Sequence, residues 1–120
     1  DIAKILQLFL QKGSYANEKF FDEKFFDLFN FGHFKEKKVR RGIGFDKPEL
    51  DPDDPNTCGC ASDKSFGHYG FTGSVAWVDP ETEIIYVFLS NRTFPDENNN
   101  SLSEFNIRTE IQKLVHEAFD

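Results

Sequence analysis

The stretch Phe66-Gly67-His68-Tyr69-Gly70-Phe71-Thr72-Gly73 holds three glycines and a histidine in close succession. A strand stripped of side chains usually marks the close approach of another backbone or of a ligand. What would complete a reaction is missing. No serine has a lysine three residues later, and there is no Gly-x-Ser-x-Gly elbow, no His-Glu-x-x-His and no glycine-rich loop ending in Lys-Ser or Lys-Thr. An unactivated hydroxyl is a poor nucleophile, so the chain alone is expected to be inert.

Other candidates are weaker. His33 and His116 stand apart from His68 in sequence, and single histidines are mostly surface or packed residues, so no metal is expected. Cys58-Gly59-Cys60 is too closely spaced for an ordinary unstrained disulfide and lacks a second ligand pair for zinc, which leaves two loop thiols without chemistry. Asp51, Asp53 and Asp54 do not follow the spacing of a calcium loop and read as a solvated turn. No cofactor motif is present.

The elements that must position these residues follow from periodicity. Ile2, Ile5, Leu6, Phe9 and Leu10 form one helical face, ended by Gly13. Lys19 to Phe21 suits a short extended piece, and Asp22 can cap a helix over Glu23 to Asn30. Phe21, Phe25 and Phe29 fall at helical spacing, which favours core or interdomain packing over an aromatic binding platform for that phenylalanine-rich stretch. Lys35 to Arg41 reads as a solvated basic turn leading into Gly42-Ile43-Gly44-Phe45, whose alternation suits a half-buried strand. Asp46 to Lys64, with three prolines and many acids, is a long irregular loop. Phe66 to Gly70, Ser74 to Val78 and Ile84 to Leu89 read as strands, the last two joined by the turn Asp79-Pro80-Glu81-Thr82-Glu83. Ile107, Ile111, Leu114, Val115 and Ala118 predict a closing amphipathic helix. The expected fold class is α+β, one antiparallel sheet flanked by N- and C-terminal helices that share a face.

With 120 residues the chain suits a single domain, and its 15 phenylalanines, about three times average usage, argue against disorder. A net charge of -7 disfavours duplex nucleic acid and anionic membranes as partners. The apolar run Ile84 to Leu89 is far short of a transmembrane span, which needs about 20 residues. No signal peptide is visible, and a helix that begins at Asp1 without a capping approach predicts a piece of a longer polypeptide.

Gly67-His68-Tyr69-Gly70-Phe71-Thr72-Gly73-Ser74, Trp77-Val78-Asp79-Pro80-Glu81 and Val87-Phe88-Leu89-Ser90-Asn91-Arg92 with Pro95 together resemble the C-terminal third of the serine β-lactamase-like hydrolases. That family groups class C β-lactamases, DD-peptidases and related esterases. Gly42-Ile43-Gly44-Phe45 looks like its Gly-Leu-Gly-Trp strand, and the resemblance covers nearly all of this chain but under half of a whole member. Arg40 to Pro48 and Asn106-Ile107-Arg108-Thr109 are also similar to β-lactamase-like domains appended to family 3 glycoside hydrolases in Bacteroidetes.

The resemblance implies an incomplete part of the β-lactamase-like fold, one partial domain over 1–120, belonging to a periplasmic or secreted protein. Family members use a Ser-x-x-Lys, a Tyr-x-Asn and a Lys/His-Thr-Gly, of which only the third has a counterpart, His68-Tyr69-Gly70. By that likeness His68 supplies charge or a hydrogen bond near the substrate, Gly70 lets the substrate lie against the strand, and Phe71 N–H is one of two oxyanion donors. Tyr69 replaces the expected threonine, putting bulk where a substrate carboxylate would sit, which argues against β-lactam turnover. Asn91 matches a position that faces that carboxylate, although a turn asparagine explains it equally well. Tyr15-Ala16-Asn17 spells the second motif in the wrong part of the chain and is read as coincidence. The expected partners are the missing N-terminal part of the protein and, through strand 84–89, a second copy. The alternative is a non-catalytic binding module attached to a carbohydrate-active enzyme.

Overall fold

A computed structural model describes residues 1–49, 51, 53 and 55–119; Pro52 and Asp54 of the long loop lie outside the described residues. The apolar stripe at the start forms helix α1 (Ile2–Leu10), with Leu6 buried and Phe9 and Leu10 half-buried. Ile2 and Ile5, expected on the same buried face, are exposed. Gly13 follows at φ 98°, and an added Cβ there would come within 2.3 Å of Phe21 O. Strands β1 (Ser14–Tyr15) and β2 (Glu18–Lys19) form a minimal hairpin. Its two central residues, Ala16 and Asn17, have φ of 51° and 66°, as a two-residue hairpin turn demands. Tyr15-Ala16-Asn17 is therefore turn chemistry. Helix α2 (Glu23–Asn30) begins after extended Asp22, whose carboxylate accepts from Lys19 Nζ at 2.7 Å instead of capping a helix N–H.

Strands β3 (Phe66–Tyr69), β4 (Val75–Asp79) and β5 (Ile84–Phe88) make an antiparallel sheet in that order. Its register pairs Phe66 with Val78, His68 with Ala76 and Trp77 with Tyr86. The expected strand at Gly42 to Phe45 does not form. Gly44 takes φ 84° and turns the chain, so only Asp46 reaches the sheet, exchanging two backbone hydrogen bonds with Gly67 at 2.8 and 3.1 Å.

The terminal helices lie on opposite faces of the sheet, not on one. Leu6 of α1 and Phe26 of α2 pack with Phe66 and Val78, whereas Ile111 and Val115 pack with Val75, Trp77 and Tyr86. The strands carry apolar residues at consecutive positions, Val75-Ala76-Trp77-Val78 and Ile84 to Phe88, and such runs need cover on both sides. A one-turn helix α3 (Ser101–Glu104) precedes α4 (Ile107–Glu117), which buries Gln112 and His116 while Leu114 points outward.

The long loop has no helix or strand among its described residues, yet it is fastened to the second face. Tyr69 Oη donates to Asn56 O, Cys58 N–H to Gln112 Oε1 at 3.1 Å, and Ser62 N–H and Oγ to the Asp79 carboxylate at 2.8 and 2.6 Å. Cys58 and Cys60 are not free thiols: they form a disulfide. Gly59 at φ 71° folds the chain back between them and sets their Cα atoms 5.1 Å apart, inside the ordinary disulfide range.

Candidate functional site at the outer strand edge

Because strand residues alternate, His68 and Tyr69 face opposite sides of the sheet. His68 and Gly70 line a shallow groove of about 210 Å³ framed by Ile2 and Leu89. His68 Nδ1–H donates to Tyr69 O at 2.8 Å, which fixes the ring, and Nε2 lies 3.4 Å from Arg41 Nη1. The two glycines of this strand differ. A Cβ on Gly67 would meet Ala76 O at 2.3 Å and the Trp77 ring at 2.4 Å, so internal packing requires that glycine. A Cβ on Gly70 would meet nothing closer than Ser74 O at 3.4 Å, an ordinary contact, so the chain's own packing does not explain Gly70.

Gly70 N–H donates to Ser74 O at 2.7 Å, and Gly73 N–H closes a turn onto Gly70 O at 3.0 Å. Phe71 occupies the second position of that turn, and among the described residues no backbone or side-chain group accepts from its N–H. Its side chain is 76% exposed, with the Arg92 guanidinium 4.7 Å from the ring centroid. Arg92 N–H and Ser90 Oγ both donate to Thr72 O, at 2.9 and 3.3 Å, which carries Asn91 alongside this turn. Asn91 Oδ1 accepts from Thr93 Oγ1 at 2.8 Å, the local bond of a turn asparagine.

Tyr69 lines a separate pocket of about 300 Å³ with Arg40, Asn106 and Arg108. Its ring lies 5.7 Å from Trp77 and 5.0 Å from the Arg108 guanidinium. Burial pushes its phenol up to about 12 despite the opposing pull of Arg108 and Arg40. The hydroxyl is thus a fixed donor, spent on Asn56 O. The structure therefore brings His68, Gly70 and the Phe71 turn to one edge, sets Asn91 beside that turn, and sends the Tyr69 side chain to the other face.

Asp46 and the ion pairs it makes were not given a site role from the sequence. Asp46, 2% exposed, sits 3.2 Å from Arg41 Nε and 3.7 Å from Arg40 Nη2, and Arg40 also holds Glu49 at 3.0 Å. The basic stretch thus ends in an ion-pair network against the strand edge, not in a solvated turn. The available signal was an aspartate directly after an apolar Gly-Ile-Gly-Phe segment and preceded by two arginines.

Comparison with known proteins follows this geometry. A family profile described as Beta-lactamase matches residues 7–108. The chain is 32% identical over 92 residues to a protein of Salmonella agona (strain SL483) named as a D-alanyl-D-alanine carboxypeptidase, covering 77% of this chain and 21% of that relative. It is 31% identical over 105 residues to an N-acetylmuramyl-L-alanine amidase of Bacillus subtilis (strain 168), covering 83% of this chain and 23% of the relative. The chain spans about a fifth of the length of these curated relatives.

Proposed function

Because the chain belongs to the beta-lactamase family, whose profile matches most of its length, we propose that it is the C-terminal portion of a serine hydrolase acting by acyl transfer. One observation carries this reading: a glycine that the chain's own packing does not need is followed by a backbone N–H, that of Phe71, with no acceptor among the described residues. In the proposed mechanism a serine outside this chain, deprotonated by a neighbouring lysine, attacks the substrate carbonyl. The carbonyl oxygen becomes an anion held by Phe71 N–H and by the nucleophile's own N–H. Gly70 lets the substrate backbone lie against β3, and His68, its Nε2 beside Arg41, faces it from the groove wall. The substrate class follows the relatives' names: an amide bond in a cell-wall peptide. A periplasmic or secreted location follows from the same reading, and those are compartments where a disulfide persists. The relatives named above give no support to an attachment to a glycoside hydrolase.

The test is His68→Ala in the longer protein. Exposed His68 makes no core contact, so stability should hold while kcat/KM falls by about 10²–10³, the range of a lost transition-state donor. Full activity in that variant, or hydrolysis and fluorophosphonate labelling by the 120-residue chain alone, would overturn the proposal.

We further propose that β5 is where the rest of the protein adds strands. Among the described residues it pairs only with β4, and its outer edge presents unpaired backbone groups beside Ile85 and Val87. The isolated chain should therefore self-associate along this edge. Sedimentation over a concentration series should show a species heavier than 13.9 kDa that Val87→Lys weakens. A clean monomer at high concentration, its β5 amides protected from exchange, would refute this.

A further inference from the structure

On the second face, away from His68, the Cys58 and Cys60 sulfurs and a ring nitrogen of His116 all lie within 4.8 Å of one another. The loop bearing the cysteines is pinned on both sides, by Cys58 N–H to Gln112 Oε1 and by Ser62 to Asp79. Opening the S–S bond would therefore leave both thiols beside His116. Two further features point to sulfur that carries charge. Cys60 N–H donates to Cys58 Sγ at 3.3 Å, a bond that stabilises a thiolate. Gln112, fully buried, holds its amide head at Cys58 while its Nε2 has no acceptor in the disulfide form. A buried donor without a partner is destabilising, and a new acceptor created at Cys58 would relieve it.

The geometry points to a redox-gated cation site in which reduced Cys58 and Cys60, with His116, bind one zinc-class ion. Two thiolates and an imidazole are a zinc donor set, and around a tetrahedral ion such atoms lie about 3.5–3.8 Å apart, which this cluster reaches by small side-chain movements. Exposed Cys60 leaves the fourth position open to water or another ligand. The balance is simple. The disulfide takes two electrons and two protons from a dithiol reductant, which closes into its own disulfide, and Zn²⁺ then displaces the two thiol protons. This departs from the expectation of inert thiols because the third ligand comes from α4, far along the sequence. It stands apart from the proposed hydrolase, whose groove it does not touch.

The experiment titrates the whole protein carrying this chain with Zn²⁺ against a chromophoric chelator, in oxidised form and after reduction by a phosphine. One equivalent should bind to the reduced form at least about 100-fold more tightly than to the oxidised form, with release of about two protons. Co²⁺ in place of zinc should give a thiolate-to-metal charge-transfer band. Cys60→Ser, at an exposed position, and His116→Gln should each weaken binding by about 100-fold or more. Should His116→Gln fail to fold, Cys60→Ser and the cobalt spectrum still decide. Equal zinc affinity in the two redox forms, or cobalt bound without the thiolate band, would overturn the site.

Discussion

The two faces of the three-stranded sheet are built from different materials. Toward α1 and α2 the buried groups are rings and aliphatics: Phe66 touches Phe26 and Phe45 with centroids 5.5 and 5.0 Å apart, and Phe9 extends the cluster to Phe21 and Phe45. Toward α4 the core of Val75, Trp77 and Tyr86 is laced with buried Gln112, His116 and Asp79. Each of those polar groups reaches the long loop or the cysteine pair that the loop carries. A face closed by dispersion and burial leaves little room for polar partners, while a face closed by hydrogen bonds fixes an irregular segment in place and offers ligand atoms. The loop with least regular structure is thus held by the face with most buried polarity.

The sharpest way to break this contrast is to hollow the ring face. Phe66 is fully buried, so Phe66→Ala should cost about 3–5 kcal/mol in urea unfolding. A loss below about 1 kcal/mol would mean that the phenylalanines are not the core they form on paper.

Lys47 is the exception on that side. It is 5% exposed, and its Nζ donates to Asn30 Oδ1 at 2.8 Å, Lys64 O at 3.0 Å and Ser65 O at 2.6 Å. Burial, helped by nearby Lys35 and opposed by Asp63 and Asp79, pushes it from 10.5 down to about 8. The unfolded chain then holds this proton between about pH 8 and 10.5 while the folded chain has released it. Unfolding takes up a proton in that window, so stability rises with pH there, by about 3 kcal/mol across the whole window. Lys47→Met should abolish that rise. Equal pH slopes in the two proteins between 8 and 10 would show that the three oxygens keep the ammonium charged.

The legible part of the fold was what local patterns control. Periodicity marked α1, α2, β3, β4, β5 and α4 to within a residue or two, and the Asp79 to Glu83 turn followed from its own residue types. The opposite placement of α1 and α4 was encoded in the two-sided apolarity of β4 and β5, a signal that an α+β reading with shared helices passes over. Contacts between distant segments were not legible. No local pattern brings Arg40 and Arg41 to Asp46, nor His116 to Cys58, because those meetings depend on where the sheet places each segment. At the candidate site, sequence located His68, Gly70, Phe71 and Asn91 near one edge but could not tell which glycine serves packing.

That last ambiguity yields the smallest and most discriminating pair of variants. Gly67 and Gly70 are three residues apart on the same edge, and from sequence both mark a close approach. In Gly67→Ala the new methyl would have to displace the Ala76 carbonyl, which is backbone of the central strand, and the Trp77 ring behind it. Neither can move freely, since Trp77 is 1% exposed. Overpacking of this kind costs about 1–3 kcal/mol, and it should be visible in thermal unfolding and in the Trp77 fluorescence. In Gly70→Ala the methyl finds only ordinary contact and no positive φ forbids it, so stability should shift by no more than about 0.5 kcal/mol. If substrate lies against β3, Gly70→Ala should nevertheless lower kcat/KM in the longer protein. A stable, fully active Gly70→Ala would move the substrate away from this edge, and an undisturbed Gly67→Ala would mean that Trp77 is not locked in the second face.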